Sequence, residues 1–313
     1  LTKADLQQPL HQRLSKGYTT KNVHKGKTSG SSGHPFSYAK DKFCHAMAWA
    51  AFDLAYSKHG IDLDQSLEAR FYGIPSKGLG RLKEQVKDVV GNRHRFPIFD
   101  MSDAVLKGYL AKFRKNKYGY INGYTSSIVL FAKFCKSKHI ILRDLCPSLK
   151  VCIVTSEMLF EDDRELLEQV LGIPVINEYG SSETGLIAIE DPNGHFVLNT
   201  NTVFIEVVDE HNQPVAHGTI GKILITDLFN KAHPFIRYEI GDLGSLTTKN
   251  GKQVLDKLQG RTSDIARLPN GKVIPGLTFY YVTKSVVNDQ SSVTEFVIIQ
   301  KQPLLFCIQY VAR

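Results

Sequence analysis

The chain has 313 residues, 42% of them hydrophobic and 22% charged, a balance typical of a globular protein with one large domain or two. A net charge of +8 favours anionic partners, but the basic residues form no long block, which argues against a nucleic-acid-binding patch. Five cysteines without a Cys-x-x-Cys pair argue against a disulfide scaffold or a zinc site and predict a reducing compartment, the cytoplasm.

The first half of the chain is predicted to be rich in helices. Apolar residues recur at helical spacing over 37–60, 105–118 and 126–139, and Gly60 is expected to end the first of these helices. The chain lacks a continuous apolar stretch of the roughly 18 residues that a membrane span needs, so we predict no membrane span. It begins with Leu1 instead of a start methionine, from which we expect a piece of a longer protein.

The second half begins with a predicted strand–helix–strand unit. A β-branched strand over 149–157 precedes a helix over 161–172, and a second strand over 173–185 follows it with short links. Such a unit predicts a parallel sheet. After residue 195, short strands separated by turn residues predict an antiparallel subdomain, and 294–313 reads as two strands that are broken at Gln302-Pro303.

The segment "KTSGSSGHPF" (27–36) concentrates small hydroxyl and glycine residues in one loop. Such a loop brings backbone N–H groups and hydroxyls close together, as phosphate binding requires. It is not a Walker loop, because His34 stands where that motif needs lysine. Taken alone, a plain flexible turn is an equally good interpretation.

Three later loops carry candidate ligand-binding groups. "NEYGSSETG" (177–185) follows a strand and offers an aromatic ring, hydroxyls and a carboxylate, where sheets of α/β proteins bind ligands. Asp242 follows a glycine in "PFIRYEIGDLG", and Arg261 lies in "LQGRTSD". Each also has a structural interpretation, namely Tyr179 as a core residue, Asp242 as a turn acid and Arg261 in a surface ion pair.

The four loops in this order resemble the adenylate-forming superfamily of acyl- and aryl-CoA synthetases. The stretches "PFIRYEIGD" and "EFVIIQ" are most similar to its phenylacetate–coenzyme A ligase branch, including relatives from capsule-biosynthesis loci. The resemblance covers most of the chain. It implies ATP-dependent formation of an acyl-AMP and pyrophosphate from a carboxylic acid, followed by transfer of the acyl group to a thiol, usually coenzyme A, or to an amine.

The resemblance also implies roles for individual residues. Tyr179 is expected to stack on adenine, Ser182 to touch the α-phosphate and Glu183 to ligate Mg²⁺. Asp242 is expected to bind the ribose hydroxyls, and Arg261 to contact the nucleotide. The remaining nucleotide-binding residues that it implies are Thr28, Ser29, Gly30, Ser31, Ser32, Gly33, Ser156, Glu157, Gly180 and Ser181.

The implied fold is α/β. A large domain (1–262) is expected to combine helix-flanked parallel sheets with an antiparallel β subdomain, and 263–313 to begin a small, mobile α+β domain that swings about Asp264. The late catalytic lysine of that small domain is absent, and we expect it to lie beyond Arg313. His34 and Phe36 also depart from the family pattern, in which a lysine often stands near this proline.

Three questions stay open at the level of sequence. A degenerate member would bind nucleotide without chemistry, and a nucleic-acid-binding protein would use the net charge alone. Tyr120 and Tyr124 in "YGYINGYTSS" are expected to wall the pocket for a planar or aryl acid, although aromatic residues there serve equally often as core. The sequence does not distinguish a monomer from a homodimer.

Overall fold

The computed structural model describes residues 1–28, 36–73, 79–261, 265–270, 273–275 and 293–312. The helices are α1 (Leu10–Arg13), α2 (Lys42–Ser57), α3 (Leu79–Val90), α4 (Asp103–Lys115), α5 (Thr125–Ser137), α6 (Leu142–Leu145) and α7 (Glu161–Leu171). None of these described helices is long and apolar enough to cross a membrane.

The strands before residue 200 are β1 (His24–Lys27), β2 (Ser37–Lys40), β3 (Leu67–Phe71), β4 (Arg93–Phe96), β5 (Tyr118–Tyr124), β6 (Val151–Thr155), β7 (Val175–Ser181), β8 (Gly185–Glu190) and β9 (Phe196–Leu198). The later strands are β10 (Val203–Val208), β11 (Gly221–Asp227), β12 (Tyr238–Lys249), β13 (Lys252–Arg261), β14 (Ile265–Arg267), β15 (Val273–Pro275), β16 (Val293–Gln302) and β17 (Leu305–Ala312).

One 11-stranded sheet organises the fold, in the order β10-β11-β12-β13-β9-β8-β7-β6-β5-β3-β4. The five strands from β7 to β4 run parallel, and every pairing from β7 to β10 is antiparallel. The predicted α/β class, with a parallel part and an antiparallel part, is therefore confirmed.

The predicted strand–helix–strand unit is present as β6, α7 and β7. Gly172 ends α7 in the left-handed conformation (φ 71°), as a C-terminal glycine commonly does. Because β6 and β7 pair in parallel, their carboxyl ends lie at the same edge of the sheet. The residues that follow these two strands are thereby brought together.

The predicted helix over 37–60 is wrong at its start. Residues 37–40 form β2, which pairs with β1, and the helix begins only at Lys42 because the Asp41 side chain accepts a hydrogen bond from the backbone N–H of Cys44. The elements between 61 and 100, namely β3, α3 and β4, were not predicted. The two strands broken at Gln302-Pro303 are confirmed as the hairpin β16–β17.

Helices cover both faces of the parallel strands. On one face, Ile121, Cys152 and Val154 pack in a large cluster with residues of α4, α5 and α7. On the other face, Tyr120 and Ile153 pack with α2, including Tyr56. The parallel strands are therefore buried on both sides, as is usual for parallel sheets.

Candidate functional site

A cavity of about 670 Å³ opens at the carboxyl ends of β6 and β7, beside the antiparallel strands β12 and β13. It brings together loops that are far apart in sequence, including most of those singled out above. The predicted site residues in its wall are Thr28, Tyr124, Ser156, Glu157, Tyr179, Gly180, Ser181, Ser182, Glu183 and Asp242.

A hydrogen bond joins the parallel and antiparallel sides of this cavity. The hydroxyl of Tyr179, on β7, donates to Oδ2 of Asp242, on β12, at 2.7 Å. Asp242 is buried and stands opposite Arg261 in the β12–β13 ladder. Gly241 adopts a φ of 91°, a conformation that favours glycine, immediately before Asp242. The local backbone thus fixes where this carboxylate lies.

The tight turn between β7 and β8 carries the second group of polar residues. The Ser181 hydroxyl accepts a hydrogen bond from the backbone N–H of Thr184 at 3.0 Å, which holds the turn together. Glu183 is only 4% exposed, and its Oε1 accepts a hydrogen bond from the Tyr238 hydroxyl at 2.9 Å. This carboxylate is therefore held in a defined position at the cavity wall.

Two side chains of β2 stand behind the turn. Burial raises the pKa of the Tyr38 hydroxyl to about 12, and the neighbouring Glu183 carboxylate adds to the rise. Lys40 is 7% exposed, and burial lowers the pKa of its ammonium while Cys44, Asp227 and Glu183 oppose that effect. A buried cation close to a buried carboxylate balances part of its charge.

The segment after β6 forms another part of the wall. Ser156 adopts a φ of 71°, an uncommon left-handed conformation for a residue other than glycine. The Glu157 carboxylate accepts hydrogen bonds from the backbone N–H of Ser126 at 2.7 Å and from its hydroxyl at 3.0 Å. Glu157 therefore anchors the start of α5 at the rim of the cavity.

The two tyrosines predicted to wall an acid pocket lie in different cavities. Tyr124 lines the cavity described above, and its ring centroid lies 4.8 Å from that of Tyr72. Tyr120 is 3% exposed, packs edge-on against Tyr56 and lines a second cavity. They share one face of β5, but four residues of a strand span about 13 Å.

Some predicted residues are not described at the level of side chains. Ser29, Gly30, Ser31, Ser32, Gly33, His34 and Asp264 lie outside the described residues. At the base of the first loop, Thr28 and Phe36 pair, because the Phe36 N–H donates to the Thr28 hydroxyl at 3.0 Å. Arg261 is placed by its backbone pairing opposite Asp242.

The side chains near the cavity include one candidate magnesium ligand, Glu183. Nowhere in the described part of the chain do three or more acidic, histidine or cysteine side chains cluster as a preformed metal site would require. Mg²⁺ is often held by one or two carboxylates together with waters and substrate phosphates. Glu183 is one of three buried carboxylates in the wall, with Glu178 and Asp242, and it is the one that the resemblance assigns to a magnesium ion arriving with a triphosphate.

Sequence reasoning missed three side chains around the cavity, namely Glu178, Tyr72 and Tyr56. Glu178 is buried and accepts a hydrogen bond from the Tyr56 hydroxyl at 2.6 Å. Tyr72 also contributes to the wall. Glu178 directly precedes Tyr179 in a quoted motif and could have been found there, whereas a single tyrosine within a helix, such as Tyr56, carries no signal.

Comparisons with known proteins found sequence relatives of this chain. No family model matches the chain. It is 22% identical over 305 residues to the protein CapK of Staphylococcus aureus, which covers 92% of this chain and 64% of that protein. It is 29% identical over 136 residues to the phenylacetate-coenzyme A ligase of Escherichia coli (strain K12), covering 41% of this chain and 31% of the ligase. The chain thus spans less than two thirds of both relatives.

A solved structure shares the fold. An open conformation of 2-hydroxyisobutyryl-CoA ligase, in complex with 2-HIB-AMP and CoA, superposes with a TM-score of 0.71 at 17% identity. The superposition covers 99% of this chain and 73% of that chain. The sequence matches and the shared fold together bear out the family resemblance drawn from the four loops.

Proposed function

We propose that this protein, whose chain is similar to members of the adenylate-forming CoA ligase superfamily, activates a carboxylic acid with ATP and transfers the acyl group to coenzyme A. In the first step, a carboxylate oxygen bonds to the α-phosphorus of ATP as its bond to the leaving pyrophosphate breaks. In the second step, the thiol sulfur bonds to the acyl carbon, the thiol proton is lost and AMP leaves. The meeting of separate loops in one cavity, joined by the Tyr179–Asp242 hydrogen bond, carries this proposal.

The proposal gives four of the predicted site residues a task. Tyr179 presents its ring to adenine, and Asp242 accepts hydrogen bonds from the ribose hydroxyls. Ser182 contacts the α-phosphate, and Arg261 contacts the nucleotide. Positioning and electrostatic stabilisation account for most of the catalysis of phosphoryl transfer, so the rigid hydrogen-bonded placement of Asp242 and Glu183 is what this chemistry needs.

Glu183 is the proposed magnesium ligand. When bound, the ion would neutralise negative charge on the phosphate oxygens. The chain's own contribution is to hold the carboxylate still, through the Tyr238 hydroxyl and with Lys40 nearby. Thr28 and the loop from Ser29 to Gly33 are the proposed grip on the phosphates.

The domain division is part of the same proposal. In this proposal, residues 1–262 bind the nucleotide and the acyl group, and 263–313 form a second region with its hinge at Asp264. All candidate nucleotide contacts fall before Asp264 in the sequence. We therefore expect nucleotide binding to depend on the first region and turnover to depend on both.

Pyrophosphate exchange tests the function directly. A protein that adenylates an acid incorporates labelled pyrophosphate into ATP only when that acid is present. Calorimetry on the same preparation measures binding of ATP with magnesium. Acid-dependent exchange is the expected result for the full-length protein, and the same preparation is used for every acid. Binding of ATP without exchange for any of a broad panel of acids would contradict adenylation, and a lack of ATP binding would contradict the assignment of the cavity as well.

A further inference from the structure

A second cavity, of about 550 Å³, lies along the face of the parallel strands beneath α2. It shares Phe52, Tyr72 and Glu178 with the wall of the first cavity, so the two spaces adjoin. The first cavity holds the proposed nucleotide contacts. In the proposed binding mode, the carboxylate of the acid lies in the first cavity and its other end lies in the second.

Aromatic rings form much of the described wall of this second cavity. Trp49, Phe52 and Tyr56 come from α2, whereas Tyr72 and Tyr120 come from the sheet side. The Tyr56 and Tyr120 rings meet nearly edge-on, with centroids 5.8 Å apart. Flat aromatic walls of this kind favour a planar, ring-containing ligand.

The sheet side of the cavity is polar. Glu68 and Arg70 on β3 stand opposite Tyr120 and Asn122 on β5 in the parallel ladder. Nη1 of Arg70 donates to Oε1 of Glu68 at 2.8 Å, and the guanidinium lies over the Tyr72 ring at 4.1 Å. Within the described part of the chain, Glu68 is the hydrogen-bond partner of Arg70, so further N–H groups of this partly exposed guanidinium are available to a ligand.

The charges around the cavity select among polar ligands. Four acidic side chains contribute to its described wall, namely Asp53, Asp64, Glu68 and Glu178, against two arginines. One of these, Arg93, is already paired with Asp88 at 2.7 Å. A second carboxylate on the ligand would be repelled by the excess of acidic side chains in this wall. A neutral hydroxyl group would instead accept a hydrogen bond from Arg70 and donate one to Glu68.

We propose that the second cavity binds the tail of the acid and that the Glu68–Arg70 pair selects an aromatic acid whose ring carries a hydroxyl group. This inference rests on the proposed adenylation, because it names the class of acid for that reaction. An acid without the hydroxyl would keep the Glu68–Arg70 pair intact but would leave the remaining N–H groups of Arg70 without a ligand acceptor, which favours the hydroxylated acid. Arg70 and Glu68 are thus specificity-determining residues.

Three acids of similar shape test the proposal by pyrophosphate exchange: phenylacetate, para-hydroxyphenylacetate and para-carboxyphenylacetate. We expect kcat/KM for the hydroxylated acid to exceed that for phenylacetate at least tenfold, and the dicarboxylate to be the poorest of the three. Equal values for the hydroxylated and plain acids would overturn the inference while leaving adenylation standing. Exchange with none of a broad panel of acids would overturn the proposed adenylation and this inference with it.

Substitution of Arg70 provides an independent test. Arg70→Met should bring the ratio of kcat/KM values for the two monocarboxylates close to one. Arg164→Met is a matched control, because Arg164 is similarly exposed and ion-paired, with Glu190 at 2.6 Å, but does not line either described cavity. The control should keep the wild-type ratio. An unchanged ratio in a folded Arg70→Met protein would contradict the role of Arg70, and if that variant does not fold, the wild-type comparison of acids decides.

Discussion

The two halves of the 11-stranded sheet are built differently. In the parallel half, β6 is buried at every position and β5 at all but its last. In the antiparallel half, buried and more exposed residues alternate along much of β10 and β12. The difference follows from helices covering both faces of the parallel strands. The candidate site lies where the halves join, with Tyr179 and Glu183 on one side and Asp242 on the other.

The largest effect is expected at the turn that connects the halves. Glu183→Gln should lower adenylation on the order of 10²-fold, because it removes the charge proposed to hold the metal while keeping the size of the side chain. Pyrophosphate exchange measures the rate, and circular dichroism checks the fold. Glu190→Gln, at the other end of β8, is the matched control and should stay near the wild-type rate. Near-normal exchange by folded Glu183→Gln would refute the assignment.

A smaller effect is expected on the antiparallel side. Asp242→Ala should weaken ATP binding about tenfold or more, because hydrogen bonds from ribose hydroxyls to a carboxylate are lost. An ATP analogue without ribose hydroxyls should bind wild type and variant about equally. Calorimetry provides both measurements, with Asp256→Ala on the exposed face of β13 as control. If the Asp242→Ala variant still bound ATP more tightly than the analogue, Asp242 would have only a structural role in the turn.

The halves should also respond to pH in opposite directions. Burial lowers the pKa of His233, beside the antiparallel half, to about 4. The unfolded chain then binds more protons than the folded chain between pH 6.5 and about 4, so stability should fall as the pH falls through this window. Burial raises the pKa of Glu178 above its ordinary 4.5. The protonated Glu178 carboxyl contributes its full share to the free energy of unfolding below pH 4.5. This contribution is lost as the pH rises through the higher pKa that Glu178 has in the folded state.

Urea unfolding across pH separates these two contributions. His233→Gln should flatten the acid side of the profile of unfolding free energy against pH, and Glu178→Gln should flatten the side above pH 4.5. The two windows overlap between pH 4.5 and 6.5, where the two contributions oppose each other, so each single substitution should reveal the slope that the other residue produces. Profiles that keep the wild-type shape in both variants would show that neither group controls the pH dependence.

The smallest effects are expected at two glycines. Gly172 and Gly194 both have left-handed φ values, 71° and 75°, so alanine should cost about 1 kcal/mol of unfolding free energy at either position. At Gly172, ahead of parallel β7, a Cβ would also stand 2.9 Å from Cγ2 of Ile141, whereas at Gly194 it would meet open space. Gly172→Ala should therefore be the more destabilising in urea unfolding. Equal losses of unfolding free energy in the two variants would show that the Ile141 side chain moves aside without an energetic cost.

Much of this arrangement could be predicted from local patterns. The switch from parallel to antiparallel strands follows from the spacing of strands and helices, and the site loops carry recognisable groups at strand ends. The start of the 37–60 segment could not be predicted, because β2 is fixed by pairing with β1 and its apolar residues continue smoothly into α2. Periodicity alone does not show such a boundary.

The separation of Tyr120 from Tyr124 has a different cause. Alternation correctly assigns both to one face of β5, yet the cavity that each one lines depends on neighbours from β3 and α2. The pairing of Glu68 with Arg70 is likewise visible only once β3 is placed next to β5. The specificity of such a site depends on contacts between strands that are distant in sequence, so it cannot be predicted from any single segment.

The anchoring of α5 by Glu157 has an electrostatic consequence for the cavity. A helix amino terminus carries about half a positive charge, and α5 begins directly after Tyr124 at the rim. The Glu157 carboxylate, 2.7 Å from the Ser126 nitrogen, already neutralises that end of the helix dipole. An incoming polyanion is therefore not drawn toward α5.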